Sequence, residues 1–307
     1  MKRLRIGLID LDTSHPGNWL PIIRELGHEV VGVFDGGTVF PNGYAEQFAL
    51  EKGISNVYQT VAEMVEDVDV AIVHSCNWDL HIDRAAPFIA AGKGVLIDKP
   101  LAGNPRHLRT LLEWERQGAR ITGGSSLRFC QETVQWKMNH TASGISYVTA
   151  GCGVDEFNYG IHAYAMLAGI MGPGIEGVRH LGESGQRHVE IVWRDGRRGL
   201  VAVGAVEGSL PFYATVVTGQ DVSHFQADSR YLYRALLEAS LPYLAGADAA
   251  AVPLEELVEA EYAAIAAAVS KRQGGTYVRL AELAEDEAGY DGSAFSSGYR
   301  KLRLGIV

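Results

Sequence analysis

Two strand ends in this sequence hold residues able to do chemistry. Asp98-Lys99-Pro100 closes the apolar run Gly94-Val95-Leu96-Ile97. A lysine at a strand's carboxyl end, facing a cleft, can hold a substrate oxygen or give it a proton, and burial lowers its pKa towards that task. Asp10-Leu11-Asp12-Thr13-Ser14-His15 closes the first apolar run, residues 4–9. That is where a strand-to-helix turn carries G-x-G-x-x-G when it cradles a dinucleotide, and here Asp or His stands at all three glycine places. A carboxylate at the second place crowds and repels a pyrophosphate. The following helix still offers free N–H groups and a positive dipole end, and Thr13 and Ser14 add hydroxyls. The plainer reading is that Asp10 and Asp12 cap the turn and helix, which is favoured over a dedicated metal site because Asp is a preferred cap.

Further candidates share that edge. Asp35 ends the second strand, where an acid accepts hydrogen bonds from the adenosine ribose, and no arginine follows it to receive a 2′-phosphate. Asp35-Gly36-Gly37 is also an ordinary turn. Cys76, Asn77 and Trp78 lie in the next strand-end loop. Trp78 can stack on a ring or simply pack, and Cys76 has no sequence partner to activate it. His74 reads as a hydrogen-bonded core or rim histidine. His15 faces the presumed cleft. Asp12, His15 and His162 could converge there as metal ligands, but sequence does not show convergence, and an ordinary polar site is expected over a metal.

Repeated short strands and helices position these residues. Strands are expected at 4–9, 29–35, 68–74, 94–98 and 120–122, with helices at 19–26, 44–52, 61–66, 82–91 and 105–117. This β–α–β alternation predicts an α/β, Rossmann-like doubly wound parallel sheet over residues 1–122. Past Gly123-Gly124 the pattern changes. Strands at 145–150, 188–193, 199–206 and 212–217 follow without helices between them, with a hairpin turn at Arg194-Asp195-Gly196-Arg197. Helices at 229–244 and 254–270 come after, the latter an alanine-rich packing surface that could lie between subunits. Residues 123–307 are therefore expected to form an α+β domain with an open, mostly antiparallel sheet, its tail from Asp286 left unassigned. Ligands of open parallel sheets bind beyond the strands' carboxyl ends, so the cleft between the domains is the expected site.

Composition narrows the function. The chain has 307 residues, 27 Lys+Arg against 37 Asp+Glu, and a net charge of −10. This argues against a nucleic-acid groove or an anionic membrane surface. Three cysteines without C-x-x-C spacing fit a reducing cytoplasm. No stretch reaches the ~18 apolar residues of a membrane span.

The residues Ala91-Gly92-Lys93-Gly94-Val95-Leu96-Ile97-Asp98-Lys99-Pro100 resemble the aGkhVlxEKP stretch of the glucose–fructose oxidoreductase / inositol dehydrogenase (Gfo/Idh/MocA) family. His81 matches the histidine opening the family's preceding helix, Arg128-Phe129 its R-F, and Asn158-Tyr159-Gly160-Ile161-His162 its D-x-G-x-H motif. The resemblance implies an NAD(P)-dependent oxidoreductase acting on a sugar, cyclitol or related polyol or keto substrate, often a homo-oligomer through its carboxy-terminal sheet. It implies that Lys99 contacts nicotinamide ribose and substrate, that His162 exchanges the reacting proton, and that Asn158 orients. It also places Cys76, Asn77 and His81 on the cofactor side, with Asp12, Thr13, Ser14 and Asp35, and Arg128 with His15, Trp78 and Tyr159 on the substrate side. NAD is expected over NADP, and no nucleotide at all if the carboxylates fill the pyrophosphate place. Asn158 replaces the family's aspartate and cannot carry its charge. The rival readings are acid/base chemistry, of lyase or isomerase type, without bound nicotinamide, and a non-catalytic binding protein.

Overall fold

A computed structural model describes residues 3–141, 144–208 and 210–306. The first sheet is built by β1 (Arg5–Ile9), α1 (His15–Glu25), β2 (Glu29–Phe34), α2 (Tyr44–Lys52), β3 (Asn56–Tyr58), α3 (Val61–Met64), β4 (Val70–Val73), α4 (His81–Ala90), β5 (Gly94–Asp98), α5 (Pro105–Arg116) and β6 (Ile121–Gly124). Its six strands run in the order β3-β2-β1-β4-β5-β6, and the pairings are parallel. Every residue of β4 is buried, as expected for a strand covered by helices on both faces. Helix packing on β1 is close enough to need glycine, since a Cβ at Gly7 would meet the Met64 sulfur at 2.2 Å. The strand order reverses between β1 and β4, which puts the ligand crevice at the turns after those strands.

The expected strands and helices of this half are all present, with ends shifted by a few residues, and β3 is an addition. Gly27 and Gly53 follow α1 and α2 at positive φ, as helix-ending glycines do. Ser14 stands at the N-cap of α1 but its side chain makes no capping bond. Thr13 Oγ1 accepts the His15 amide instead, at 3.1 Å.

The second half begins with α6 (Gln131–Asn139), β7 (Ile145–Gly151) and α7 (Gly160–Met171). β8 (Ile175–Ser184), β9 (Gln186–Trp193), β10 (Arg198–Val203), β11 (Tyr213–Thr218) and β12 (Val222–Gln226) follow. α8 (Leu232–Leu244), α9 (Leu254–Arg272), β13 (Val278–Arg279) and α10 (Gly292–Leu304) end the chain. Seven strands form one open sheet, β12-β11-β7-β10-β9-β8-β13. Among the described residues, only the β7–β10 pairing of this sheet is parallel. β9 and β10 are joined through Arg194-Asp195-Gly196-Arg197, the expected hairpin.

Two expectations fail here. The strands are not free of intervening helices, because α7 lies between β7 and β8, and all twelve of its residues are buried. A helix that is apolar all round shows no stripe in the sequence. The alanine-rich α9 is not a surface between subunits. Ala260, Ala263, Ala264, Ala266 and Ala267 are at most 1% exposed within the single chain, packed in its own core.

Candidate functional site

The turn after β1 solves its missing glycines by turning carboxylates inward. Asp10 adopts the left-handed conformation, φ 59°, that a glycine would otherwise take. Its buried carboxylate accepts the Gly36 amide at 2.8 Å, the Ser75 hydroxyl and Arg84 Nε at 3.0 Å. The negative charge at the first glycine place is thus matched by a guanidinium from α4. Asp12 is fully buried, and its Oδ2 accepts the Cys76 amide at 2.9 Å. Burial, reinforced by neighbouring Asp10, pushes the Asp12 carboxyl up to about 7. The crowding and repulsion expected at this turn are therefore much reduced. Among the described residues no hydrogen bond uses the Thr13 or Ser14 amide, and both residues face the cleft. This arrangement fits a phosphate group at the head of α1.

Asp35 is partly engaged. Its Oδ1 accepts the Leu11 amide at 3.0 Å, tying the first turn to the second. Burial raises its pKa, against the lowering effect of that amide. The arginine absent from the neighbouring sequence arrives from the far end of the chain: Arg300 of α10 donates to the Gly37 and Thr38 carbonyls at 3.0 and 3.2 Å.

Lys99 leaves β5 at a cis Lys99–Pro100 peptide and reaches across the seam. Its Nζ lies 2.8 Å from Asn158 Oδ1 and 3.1 Å from the Asn158 carbonyl, with the Tyr159 ring 5.4 Å away. Burial lowers the Lys99 pKa, opposed by Asp98. Asn158 is itself held by Asp155, its amide 3.4 Å from Oδ2. Four residues on, His162 is buried in α7 with Nδ1 2.7 Å from Ser125 Oγ. Burial, and then the Lys99 ammonium, hold this imidazole well below its usual pKa, so it is neutral near pH 7. The ring packs edge-on to Tyr159 and Phe212.

His15 points to Asp98 rather than to Asp12 or His162. Its Nδ1 is 2.5 Å from Asp98 Oδ2, and His74 Nδ1 approaches the same oxygen at 3.3 Å. Burial alone would raise Asp98, but the two imidazoles hold its carboxyl well below the usual range. His74 is the hydrogen-bonded core histidine expected.

A cavity of about 80 Å³ lies between these groups. Thr13, His15, Lys99, Asn158 and Tyr159 line it, and Phe295 and Tyr299 of α10 close it. α10 is anchored there: Asp79 Oδ2 accepts the Gly292 and Ser293 amides at 2.9 and 3.2 Å. A nicotinamide dinucleotide is larger than this space, and Tyr299 and Phe295 of α10 line the part beside Lys99.

Several sequence assignments are corrected. Trp78 does not present a stacking face. It is 2% exposed, donates Nε1 to the Tyr290 carbonyl at 2.8 Å, and packs between Phe157 and Phe295. His81 is fully buried and bridges the Leu101 and Ser75 carbonyls at 3.1 and 2.9 Å, so it braces the turns and cannot touch a cofactor. Arg128 faces away from the cleft, where Glu256 accepts from it at 3.0 Å. Asn77 uses its side-chain oxygen to accept the Asp79 amide at 3.1 Å, capping a turn. Cys76 reaches the cavity, but burial and then Asp12 push its thiol far above the usual value, so it is no thiolate. Sequence reasoning missed Ser125, Arg84 and the α10 aromatics, which touch the site only through folding.

Residues 13–123 match the GFO_IDH_MocA family model, described as an oxidoreductase family with an NAD-binding Rossmann fold. A putative UDP-kanosamine synthase oxidoreductase subunit of Amycolatopsis mediterranei (strain S699) is 28% identical over 127 residues, 41% of this chain and 34% of that protein. The 1,5-anhydro-D-fructose reductase of Ensifer adhaerens is 34% identical over 120 residues, 39% of this chain and 35% of that protein. The match thus spans about a third of the length of these curated relatives. Over 92% of this chain, the fold is similar to scyllo-inositol dehydrogenase from Lactobacillus casei with bound NAD(H) and scyllo-inositol. That match has a TM-score of 0.74 and 13% identity and covers 100% of that chain. A probable dehydrogenase from Thermotoga maritima is similar at TM-score 0.78 and 17% identity, over 92% of this chain and 100% of that one. Residues 13–123 are thus similar to the Gfo/Idh/MocA oxidoreductase family, described as having an NAD-binding Rossmann fold.

Proposed function

We propose that this protein is an NAD(P)-dependent oxidoreductase acting on a sugar, cyclitol or related polyol or keto substrate. The observation that carries the reading is the Lys99–Asn158 contact across the seam, with His162 one helical turn further along α7. When bound, the nicotinamide supplies the hydride acceptor or donor. Thr13 and Ser14 hold the pyrophosphate with amides and hydroxyls at the head of α1. Asp35 favours the unphosphorylated ribose of NAD, while Arg300 at residues 37 and 38 supports a 2′-phosphate, so both nucleotides are to be assayed.

Lys99 lines the cavity and is the group that holds the reacting oxygen and moves its proton. Asn158 fixes the ammonium with two oxygens. His162 does not line the cavity, and with Nδ1 on Ser125 its Nε2 is the atom left to take the proton onward. Tyr159 lies between Lys99 and the His162 ring and borders the substrate space.

The inward carboxylates and the small cavity favour one rival, acid/base chemistry by Lys99 and His162 without nucleotide. One experiment separates them. A polyol and keto-sugar panel is assayed with and without NAD(H) and NADP(H), in parallel with solvent-deuterium uptake. Turnover that requires nucleotide supports the oxidoreductase reading. Deuterium uptake without nucleotide overturns it.

The second sheet leaves Tyr147, Leu181 and Val222 exposed, which supports a homo-oligomer through that sheet. The three cysteines are all free and buried, which supports residence in a reducing compartment, the cytoplasm. Among the described residues no helix is long and apolar enough to cross a membrane.

A further inference from the structure

Three side chains beside Lys99 converge without a part in the chemistry above. His15 opens α1, His74 follows β4 and Asp98 ends β5, so three strand ends of one sheet contribute. One ligand atom from each lies within 4.8 Å of the others, and both Nδ1 atoms approach Asp98 Oδ2, His15 at 2.5 Å and His74 at 3.3 Å. His74 and Asp98 are buried, and His15 borders the cavity of about 80 Å³.

Hydrogen bonding alone does not satisfy this cluster. Asp98 Oδ1 is occupied by the Lys99 amide at 2.7 Å, which leaves Oδ2 to face both imidazoles. If His74 carries its proton on Nδ1, its Nε2 becomes a bare lone pair, buried and without a partner. Trp19 lies edge-to-face with the His74 ring, centroids 4.7 Å apart, and its own indole N–H is also unpartnered rather than bonded to that nitrogen. If the proton sits on Nε2, the aromatic neighbour can serve as a weak acceptor. The Nδ1 lone pair then faces a carboxylate oxygen at 3.3 Å, which calls for a cation between them.

We propose that His15 Nδ1, His74 Nδ1 and Asp98 Oδ2 form a three-ligand site for a divalent transition-metal ion of the zinc type, with its fourth position open to the cavity. Two imidazoles and one carboxylate are a donor set suited to zinc, and an open fourth position marks a site that takes water or a ligand oxygen. Bonds of about 2.0–2.2 Å in a tetrahedron place donor atoms roughly 3.3 Å apart. The His74–Asp98 separation of 3.3 Å already meets this. His15, now at 2.5 Å, has to retreat by less than about 1 Å, and it stands at the cavity wall. Lys99 does not contest the ion, because its ammonium is directed at two Asn158 oxygens. The site also accounts for a histidine where a phosphate-binding turn would carry glycine. Metal binding is assayed on the protein without nucleotide, so its failure is distinguishable from failure of the oxidoreductase reading.

The test uses the full-length protein, stripped of metal and titrated with Zn²⁺ by calorimetry and with Co²⁺ by visible absorption. The expected result is one Zn²⁺ per chain at micromolar affinity or tighter, and the strong d–d bands of tetrahedral Co²⁺. His15→Gln, at the cavity wall, should weaken Zn²⁺ binding more than about tenfold while circular dichroism stays unchanged. Asp98→Asn should do the same, and His224→Gln, in β12 of the other sheet, should not. Failure to bind stoichiometric Zn²⁺, or binding indifferent to His15→Gln, overturns the proposal and leaves the trio as a hydrogen-bonded relay.

Discussion

The Lys99 ammonium stands 2.8 Å from the Asn158 amide oxygen, so the last strand-end lysine of one half is held by the head of a buried helix of the other. If this contact sets the lysine for proton transfer, Lys99→Ala lowers kcat/KM by about 10²–10⁴. Lys99→Arg does not restore it, because a planar, permanently charged group cannot give up a proton. Asn158→Ala loses less, about tenfold, since only orientation is removed. Steady-state kinetics on purified variants checks all three.

Asp12 links the turn to stability. Its carboxyl is raised from 3.8 to about 7 in the folded protein. Between those values the folded state keeps a proton that the unfolded state has released, so this group's contribution to stability falls as pH rises from about 4 to 7, and is level above. The whole decline amounts to at most about 4 kcal/mol. Denaturant midpoints of the wild type and Asp12→Asn across that range should diverge, with the variant gaining relative stability as pH rises. Parallel curves contradict the buried, protonated carboxyl.

Trp78 is expected to act as packing. Trp78→Phe loses the bond to the Tyr290 carbonyl and should cost about 1–3 kcal/mol in unfolding free energy with substrate KM unchanged. A raised KM at unaltered stability would return the indole to a substrate-stacking role.

Tyr299 and Phe295 restrict the cleft to a cavity of about 80 Å³. Tyr299→Ala should tighten NADH binding severalfold, because less of the binding energy is used to displace α10. The change is read by fluorescence titration, and weaker binding would instead make Tyr299 part of the nucleotide's own surface.

The first half was legible because short aliphatic strands alternate with helices from Arg5 to Gly124, and glycines such as Gly27, Gly53 and Gly92 follow helices at positive φ. Lys99 and His15 were legible as cleft residues because the carboxyl edge of a parallel sheet is fixed by topology, whereas Asn158 was reached only through the resemblance of residues 158–162 to a family motif. The second half was read less well for physical reasons. α7 has no polar face, and β8 alternates only along part of its length, with polar residues over its last turn towards Ser184. α10 is rich in glycine and serine, weak helix formers, and is held by Asp291 capping and by Asp79, 213 residues away in sequence from Gly292. Trp78, His81 and Arg128 were misplaced for a shared reason: their side chains turn from the cleft into contacts with Tyr290, Leu101 and Glu256, all distant in sequence. The repulsion expected from Asp10 and Asp12 was overstated because Arg84, on α4, was not foreseen as a partner.

Whether a nucleotide enters the seam decides the account most directly. Isothermal titration of NADH and NADPH into the wild type, Lys99→Ala and a Thr13→Pro variant, which blocks the amide at the head of α1, measures it. One nucleotide per chain at micromolar affinity, weakened in both variants, is the predicted outcome. No binding of either nucleotide to the folded wild type would contradict it.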